Sequence, residues 1–481
     1  MKGICLVFAI SVAGLLAGCS AGNGTAIATT SPVSSAPGTS SVSVTIVPNT
    51  IGVRHDGTLS FSASVNGSNN VNLIWSVKEG VSGGTISDKG SYTAPSAPGI
   101  YHVVATSQAD PSKDATATVT VTAFGFTSIS GLNYARLQQT ATLLPSGKVL
   151  VAGGGQGPDI IDGYWVVDQA ELFDPETKSF SLAGQVSRDS HTATMLPSGD
   201  VLLAGGEVGW DPTGNAYGNP GPIDSATAEI YQASSGQFVP TGSMLTAREG
   251  HQATLLNDGR VLITGGIYSL PSDPWWLPLS ESEVFDPATG TFAAVGQMSV
   301  ARYGHTATLL QNGKVLIAGG GYPYASNTAE LFDPADGKFR STGNTTVSRS
   351  GHTATLLPNG KVLLAGGGGL GSLAAELYDP NTGLFSPTGN MNTARGWHTA
   401  TLLPDGTVLI AGGYIIHGGS TSTTEIYDPA TGVFTLGPSL EQDRFSHTAT
   451  LLSNGDVLIV GGASSGDGLF TTALTSAEVY H

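Results

Sequence analysis

Residues 395–413 read R-G-W-H-T-A-T-L-L-P-D-G-T-V-L-I-A-G-G. An Arg and a His lead into the short run T-A-T-L-L. A Pro-Asp-Gly turn follows, then V-L-I-A and a pair of glycines. Two short apolar runs joined by Asp-Gly form a β-hairpin, because both turn residues tolerate positive φ. The unit recurs seven times, with Arg at 136, 188, 248, 302, 349, 395 and 444 and Gly pairs starting at 153, 205, 265, 319, 366, 412 and 461. The Arg spacings run from 46 to 60 residues, the period of a propeller blade rather than of a helical solenoid.

The remainder of each unit supplies two further strands. A-E-L-F-D-P or a close variant is the third, and Asp286-Pro287-Ala288-Thr289-Gly290 typifies the next turn. The fourth opens on Phe180, Phe238, Phe292, Phe339, Phe385 or Phe434. The runs are apolar on both faces, as sheets packed between two neighbours require. The last copy stops at Ala477–His481 without a fourth strand. Phe126 lies ten residues before Arg136, the spacing of five of the other six fourth strands, with Phe180 the exception. The segment around Phe126 is therefore expected to complete the seventh blade and close the ring, leaving no open edge.

Across residues 124–481 this pattern resembles the kelch repeat, with Phe in place of the usual Trp of the fourth strand. Residues 395–413 are most similar to the propeller of galactose oxidase and its relatives. That resemblance raises copper-radical oxidase chemistry, which the residues do not match. The resemblance implies a Tyr-His pair where Trp397-His398 stands, so only the His agrees. It implies a radical Tyr at the second position after an Arg, where this chain has Gln138, Ser190, Gly250, Gly304, Gly351, Trp397 and Ser446. It implies a Cys cross-linked to that Tyr, but the only cysteines are Cys5 and Cys19. Its last copper ligand comes from a domain after the propeller, beyond His481. No cofactor, no metal and no catalytic residue is therefore assigned.

One face of the propeller carries the variable loops. The connections between second and third strands are 155–169, 207–227, 267–281, 321–328, 368–374, 414–423 and 463–476, and variable loops on a rigid frame are where binding concentrates. Trp165, Trp210, Trp275, Trp276 and Trp397 fall on that face, with Tyr303 and Tyr322 beside them. Aromatics next to acidic and amide groups suit sugar stacking or a peptide hot spot. His191, His251, His305, His352, His398 and His447 recur at one position, with Gln139 in the first copy. Recurrence in every blade assigns these His, and the repeated Arg, to structure. Arg302, Arg395 and His398 are kept as ligand-contact candidates beside the aromatics.

Composition bounds the partners. Asp and Glu number 36 against 19 Lys and Arg, a formal charge of −17 with no basic patch, which argues against nucleic acid. At the N-terminus, Lys2, the apolar stretch 4–16 and Leu16-Ala17-Gly18-Cys19 resemble a bacterial lipobox, which implies cleavage before Cys19 and its lipidation. Thirteen apolar residues are too few for a permanent span. Ser20 favours the outer membrane if the cell is Gram-negative. Residues 20–42 are a flexible Ser/Thr/Gly/Pro tether. Residues 43–122 alternate as short strands and resemble a bacterial Ig-like domain of group 2, with Trp75 as the expected core aromatic.

The expectation is thus an all-β chain: signal 1–19, tether 20–42, Ig-like β-sandwich 43–122, and a seven-bladed kelch propeller 124–481. It is expected to be a monomer anchored to the cell envelope. It is expected to bind a glycan or protein ligand on the loop face, without catalysis. The alternative is a carbohydrate-active enzyme, epimerase- or oxidase-like, at the propeller mouth. The two differ in what the mouth should show: asymmetric polar groups with perturbed pKa for an enzyme, and a broad aromatic patch for a binding module.

Overall fold

The computed structural model describes residues 41–481 except 55–56, 123–124, 157–164, 212–220, 270–275, 322–324, 369–371, 416–417 and 466–470. The chain is all-β: among the described residues the one helical element is the short turn Gly80–Gly83. Seven four-stranded antiparallel sheets follow one another as blades of a propeller. Blade 1 is Thr140–Leu143, Val149–Ala152, Gln169–Asp174 and Ser179–Gln185, hydrogen-bonded in that order. Blade 7 takes three strands from the last copy, and Phe126–Ile129 supplies the fourth, pairing Phe126 with Tyr480 and Ile129 with Ala477. The expected closure is the observed one. The exceptional Phe180 lies opposite Phe173 on blade 1's longer fourth strand, whose register with the third strand shifts further along, between Gln169 and Glu171.

The two-residue period of the second strand explains how blades stack. In blade 1, Val149 and Val151 pack against Leu458 and Val460 of blade 7. Leu150 and Ala152 point the other way, against Val201 and Leu203 of blade 2. Each fully buried Val or Leu contributes roughly 1.5–3 kcal/mol, so the core lies between blades rather than in the middle of the ring. The third-strand aromatic meets the fourth-strand Phe in all seven blades, from Phe173–Phe180 at 5.0 Å to the closing Phe126–Tyr480 at 5.1 Å.

The Gly pairs mark the passage of the neighbouring blade. A Cβ on Gly153 would sit 2.1 Å from the Arg188 carbonyl, which no side chain allows. The next glycine, Gly154, donates its N–H to that same carbonyl at 3.0 Å. This bond recurs around the ring, and Gly462 of blade 7 donates to Arg136 of blade 1 at 2.9 Å.

The 2–3 connections were expected as loops. Five of them fold as two-stranded ribbons that continue blades 1, 2, 3, 6 and 7: Gly155–Gln156 with Trp165–Val166, Glu207–Asp211 with Gly221–Asp224, Ile267–Ser269 with Trp276–Pro278, Tyr414–Ile415 with Gly419–Ser420, and Ala463–Ser464 with Thr472–Ala473. Adjacent ribbons touch, making a wall that runs from blade 6 through 7, 1 and 2 to blade 3. Among the described residues blades 4 and 5 carry no ribbon.

Before the propeller, residues 43–122 form sheets of two, three and four strands around one core. The four-stranded sheet includes one parallel pair, Thr50–Arg54 with Asp114–Thr122. The expected core Trp75 is only partly buried and flanks that core. Tyr92 is the fully enclosed aromatic, because its hydroxyl donates to the Gly83 carbonyl at 2.6 Å and so needs no water.

Candidate functional site

The repeated Arg positions hold the blades together from inside. Arg349 donates through Nη1 to the Gly366 carbonyl at 2.7 Å and the Ala374 carbonyl at 2.8 Å, and through Nη2 to Glu376 at 2.6 Å. The other six Arg repeat this with Glu171, Glu229, Glu283, Glu330, Glu425 and Glu478. All seven side chains are buried. Arg302 and Arg395, kept as ligand contacts, are buried and spend both terminal nitrogens within their own blades. The Glu partner stands in every third strand of the sequence, but its pairing to an Arg some 30 residues earlier is set by the sheet.

The His ring is structural as well. His398 Nε2 is hydrogen-bonded to Thr353 Oγ1 of the preceding blade at 3.0 Å, and the ring edge packs on Gly366. His191, His305, His352 and His447 follow with Thr140, Thr264, Thr306 and Thr399, and His251 with Thr192. Burial, then the neighbouring Arg395, pushes His398 down to about 3, so it stays neutral. Gln139 replaces His in blade 1 and donates to the Val460 carbonyl at 2.8 Å. His398 is thus an inter-blade strut, not a ligand contact.

The mouth is lined by the two residues after each Arg. The second of them has left-handed backbone in every blade, from φ 49° at Ser446 to 66° at Gly304. Their amides chain round the rim: Gly250 donates to Ser190, Gly351 to Gly304, Trp397 to Gly351, Ser446 to Trp397 and Gln138 to Ser446. Trp397, at φ 51°, is a bulky side chain in a conformation that favours glycine, and strain of this kind gathers at functional sites. Here the symmetry ends, because the rim side chains differ from blade to blade.

Blades 2 and 3 supply acids. Asp189 and Glu249 directly follow their Arg, Glu207 follows the Gly pair of blade 2, and Asp224 is its register partner across the ribbon. Asp189 and Glu207 exchange backbone bonds of 2.8 Å in each direction. Asp189, Glu207 and Glu249 are 1%, 6% and 9% exposed. Burial, then Glu249, holds Asp189 well above the carboxylate range. Burial, then Asp189 and Asp224, pushes Glu207 up to about 8. Burial, then Asp224 and Glu207, does the same to Glu249. The charges acting on these three acids are all carboxylates. Asp189 Oδ1 accepts the Ser190 N–H, but Asp189 Oδ2 and Glu207 Oε1 are buried with no hydrogen-bond partner among the described residues. Tyr303, the rim residue of blade 4, lies on Gly250, and burial, then Glu249 and Asp189, pushes its phenol up to about 12.

Blades 6 and 7 supply aromatics. Trp397 lies over Gly351, half exposed, and meets Tyr414 edge-on at 6.3 Å. Tyr414 meets Phe445 at 5.3 Å. Behind them Asp443 accepts hydrogen bonds from Ser420 and Ser464, tying the two ribbons together.

Of the expected site residues, Trp397 and Tyr303 reach the mouth. Trp165 is exposed on the ribbon of blade 1. Trp210 and Trp276 lie in the ribbons of blades 2 and 3. Trp275, Tyr322 and the lipidation candidate Cys19 lie outside the described residues. The carboxyl cluster was not anticipated. Its signal was present: the residue after the Arg is acidic in blades 2 and 3, where the other blades have Leu137, Tyr303, Ser350, Gly396 and Phe445.

No protein-family model matches the chain, and no curated protein matches it by sequence. Among solved structures it resembles a fungal alcohol oxidase of the AA5 family, determined in complex with copper, at a TM-score of 0.58 and 18% identity, over 74% of this chain and 76% of that one. At that identity the likeness concerns the all-β fold. The residues do not fit a copper centre. Each rim imidazole is committed to a Thr through Nε2, and no group of three or more His, Cys, Asp or Glu among the described residues is placed to hold a metal ion.

Proposed function

We propose that the chain binds a carbohydrate in the mouth of its propeller, between the aromatic side at Trp397, Tyr414 and Phe445 and the carboxyl side at Asp189, Glu207, Asp224 and Glu249. The observation that carries this reading is the break in symmetry at the rim. All seven blades present the same backbone positions at the rim, and the side chains on those positions differ from blade to blade. Residues repeated in every blade hold the frame, so those that differ are free to meet a ligand. Aromatic faces stack on sugar rings, while carboxyl groups that keep their protons both donate to and accept from hydroxyls. The lipobox-like segment ending at Cys19 and the tether to residue 42 fit presentation of this mouth from the cell envelope, in keeping with a kelch-type lipoprotein.

Purified protein applied to a glycan array tests the reading. Saturable binding is expected, and Trp397→Ala should lower it about tenfold or more, the scale of one lost stacking anchor. A blank array, or binding indifferent to Trp397→Ala and Tyr414→Ala alike, removes the carbohydrate reading.

A second reading has its own observation. Glu207 and Glu249, pushed up to about 8, are acids still protonated at neutral pH, as protonation of a leaving group requires. An enzyme of this kind would turn over the bound sugar without copper, and Glu249→Gln would abolish turnover while leaving a measurable binding isotherm. The alcohol oxidase likeness supports the scaffold of such an enzyme, not its chemistry.

A further inference from the structure

The propeller pairs its third-strand acids with care. Glu171, Glu229, Glu283, Glu330, Glu376, Glu425 and Glu478 each hold a guanidinium at 2.6–3.1 Å. Among the described residues no guanidinium pairs with Asp189, Glu207 or Glu249. Arg188 and Arg248, adjacent in sequence to Asp189 and Glu249, point away to Glu229 and Glu283. Two buried carboxyl oxygens, Asp189 Oδ2 and Glu207 Oε1, have no donor among the described residues, and Asp189 itself is 1% exposed. A buried acceptor without a donor destabilises the fold, and a charged one does so more. The deficit is specific: hydrogen-bond donors and positive charge.

We propose that this cluster binds a primary ammonium group, and that the carbohydrate of the mouth is an amino sugar. The inference rests on the carbohydrate reading for the sugar, and on the cluster alone for the ammonium. An ammonium brings three N–H donors and one charge to a site lined by acceptors. A divalent metal fits less well, because its oxygen ligands must converge within about 2.0–2.6 Å and no such group is placed among the described residues. The aromatics Trp397 and Tyr414 of blade 6 suit the ring that carries the amine.

Binding would exchange charge in a balanced way. The ammonium enters as R–NH₃⁺, a protonated carboxyl of the cluster releases its proton to solvent, and the resulting carboxylate accepts N–H bonds. No covalent bond changes.

Titration calorimetry of the full chain at pH 7, in phosphate and in MOPS, which carry no primary amine, reads this exchange directly. The probes are glucosamine, N-acetylglucosamine, glucose and ethanolamine. Glucosamine should bind about tenfold or more tighter than glucose and N-acetylglucosamine, with heats that differ between buffers by the ionisation enthalpy of a released proton. Asp189→Asn combined with Glu249→Gln should remove both the preference and the proton release. Circular dichroism and melting of that variant establish that it is folded. Ethanolamine binding with proton release, alongside no sugar binding, would support the ammonium site and defeat the carbohydrate reading. Glucose bound as tightly as glucosamine would overturn the ammonium site and leave the carbohydrate reading standing. Amine binding without proton release, or insensitive to the double variant, overturns the proposal too.

Discussion

Two sets of carboxylates stand close together in this ring. One set is the seven third-strand glutamates, each matched to its Arg, with bonds from the same guanidinium to two backbone carbonyls. The other is Asp189, Glu207 and Glu249 of blades 2 and 3, buried to a similar degree and matched to no cation among the described residues. The first set is the same in every blade and the second occurs once. Repetition marks what the fold needs, and an unmatched charge marks what the fold tolerates for another reason.

The largest test of that contrast is to give the first set the condition of the second. Glu376→Gln leaves Arg349 buried without its counter-charge, and urea unfolding should show a loss of about 3–5 kcal/mol. A loss below about 1 kcal/mol would mean the pairs are dispensable and the contrast empty.

The next test relieves the second set. Glu249 in the folded protein holds its proton to about pH 8, while the unfolded chain releases it near 4.5. Between those values the fold binds more protons, so this group's stabilisation is full below pH 4.5 and declines as pH rises to 8, by at most about 1.4 kcal/mol per pH unit. Glu249→Gln removes the titration. The variant should be more stable than the parent by about 1–3 kcal/mol at pH 8 and nearly equal to it at pH 4.5. Parallel curves of melting temperature against pH would contradict this.

The smallest test concerns the His ring. Burial, then Arg349, pushes His352 down to about 3 from an ordinary 6.5. The unfolded chain therefore binds the extra proton in that window, and stability is lost as pH falls from 6.5 towards 3. His352→Gln copies what Gln139 does in blade 1. It should cost under about 1 kcal/mol at pH 7 and flatten the acid limb of the stability curve.

The frame was legible in the sequence because it is periodic. Arg, His, the Gly pair and the fourth-strand Phe recur at fixed offsets, and even the closing strand at Phe126 is found by counting. The partner of each Arg was not legible, although Glu stands in all seven third strands, because cross-strand pairing brings together residues that are 27–41 positions apart. The mouth was half legible. Aromatic content draws notice to Trp397 and Tyr303, whereas nothing in a single repeat marks Asp189 or Glu249. Only the sheet shows that the Arg turns inward and the acid stays at the rim. Burial, which makes those acids unusual, is a property of the closed ring and of no single repeat.

The closing strand carries one more consequence. Phe126–Ile129 is at once the edge that completes blade 7 and the point where the chain enters the propeller from residues 43–122. Four register pairs, the Phe126–Tyr480 ring contact and a hydrogen bond from Ser128 to Glu441 hold it. Tension arriving along the preceding chain is therefore borne first by this strand, before any complete blade feels it. Peeling it away and opening the circle are a single mechanical event, which makes blade 7 the fuse of the assembly.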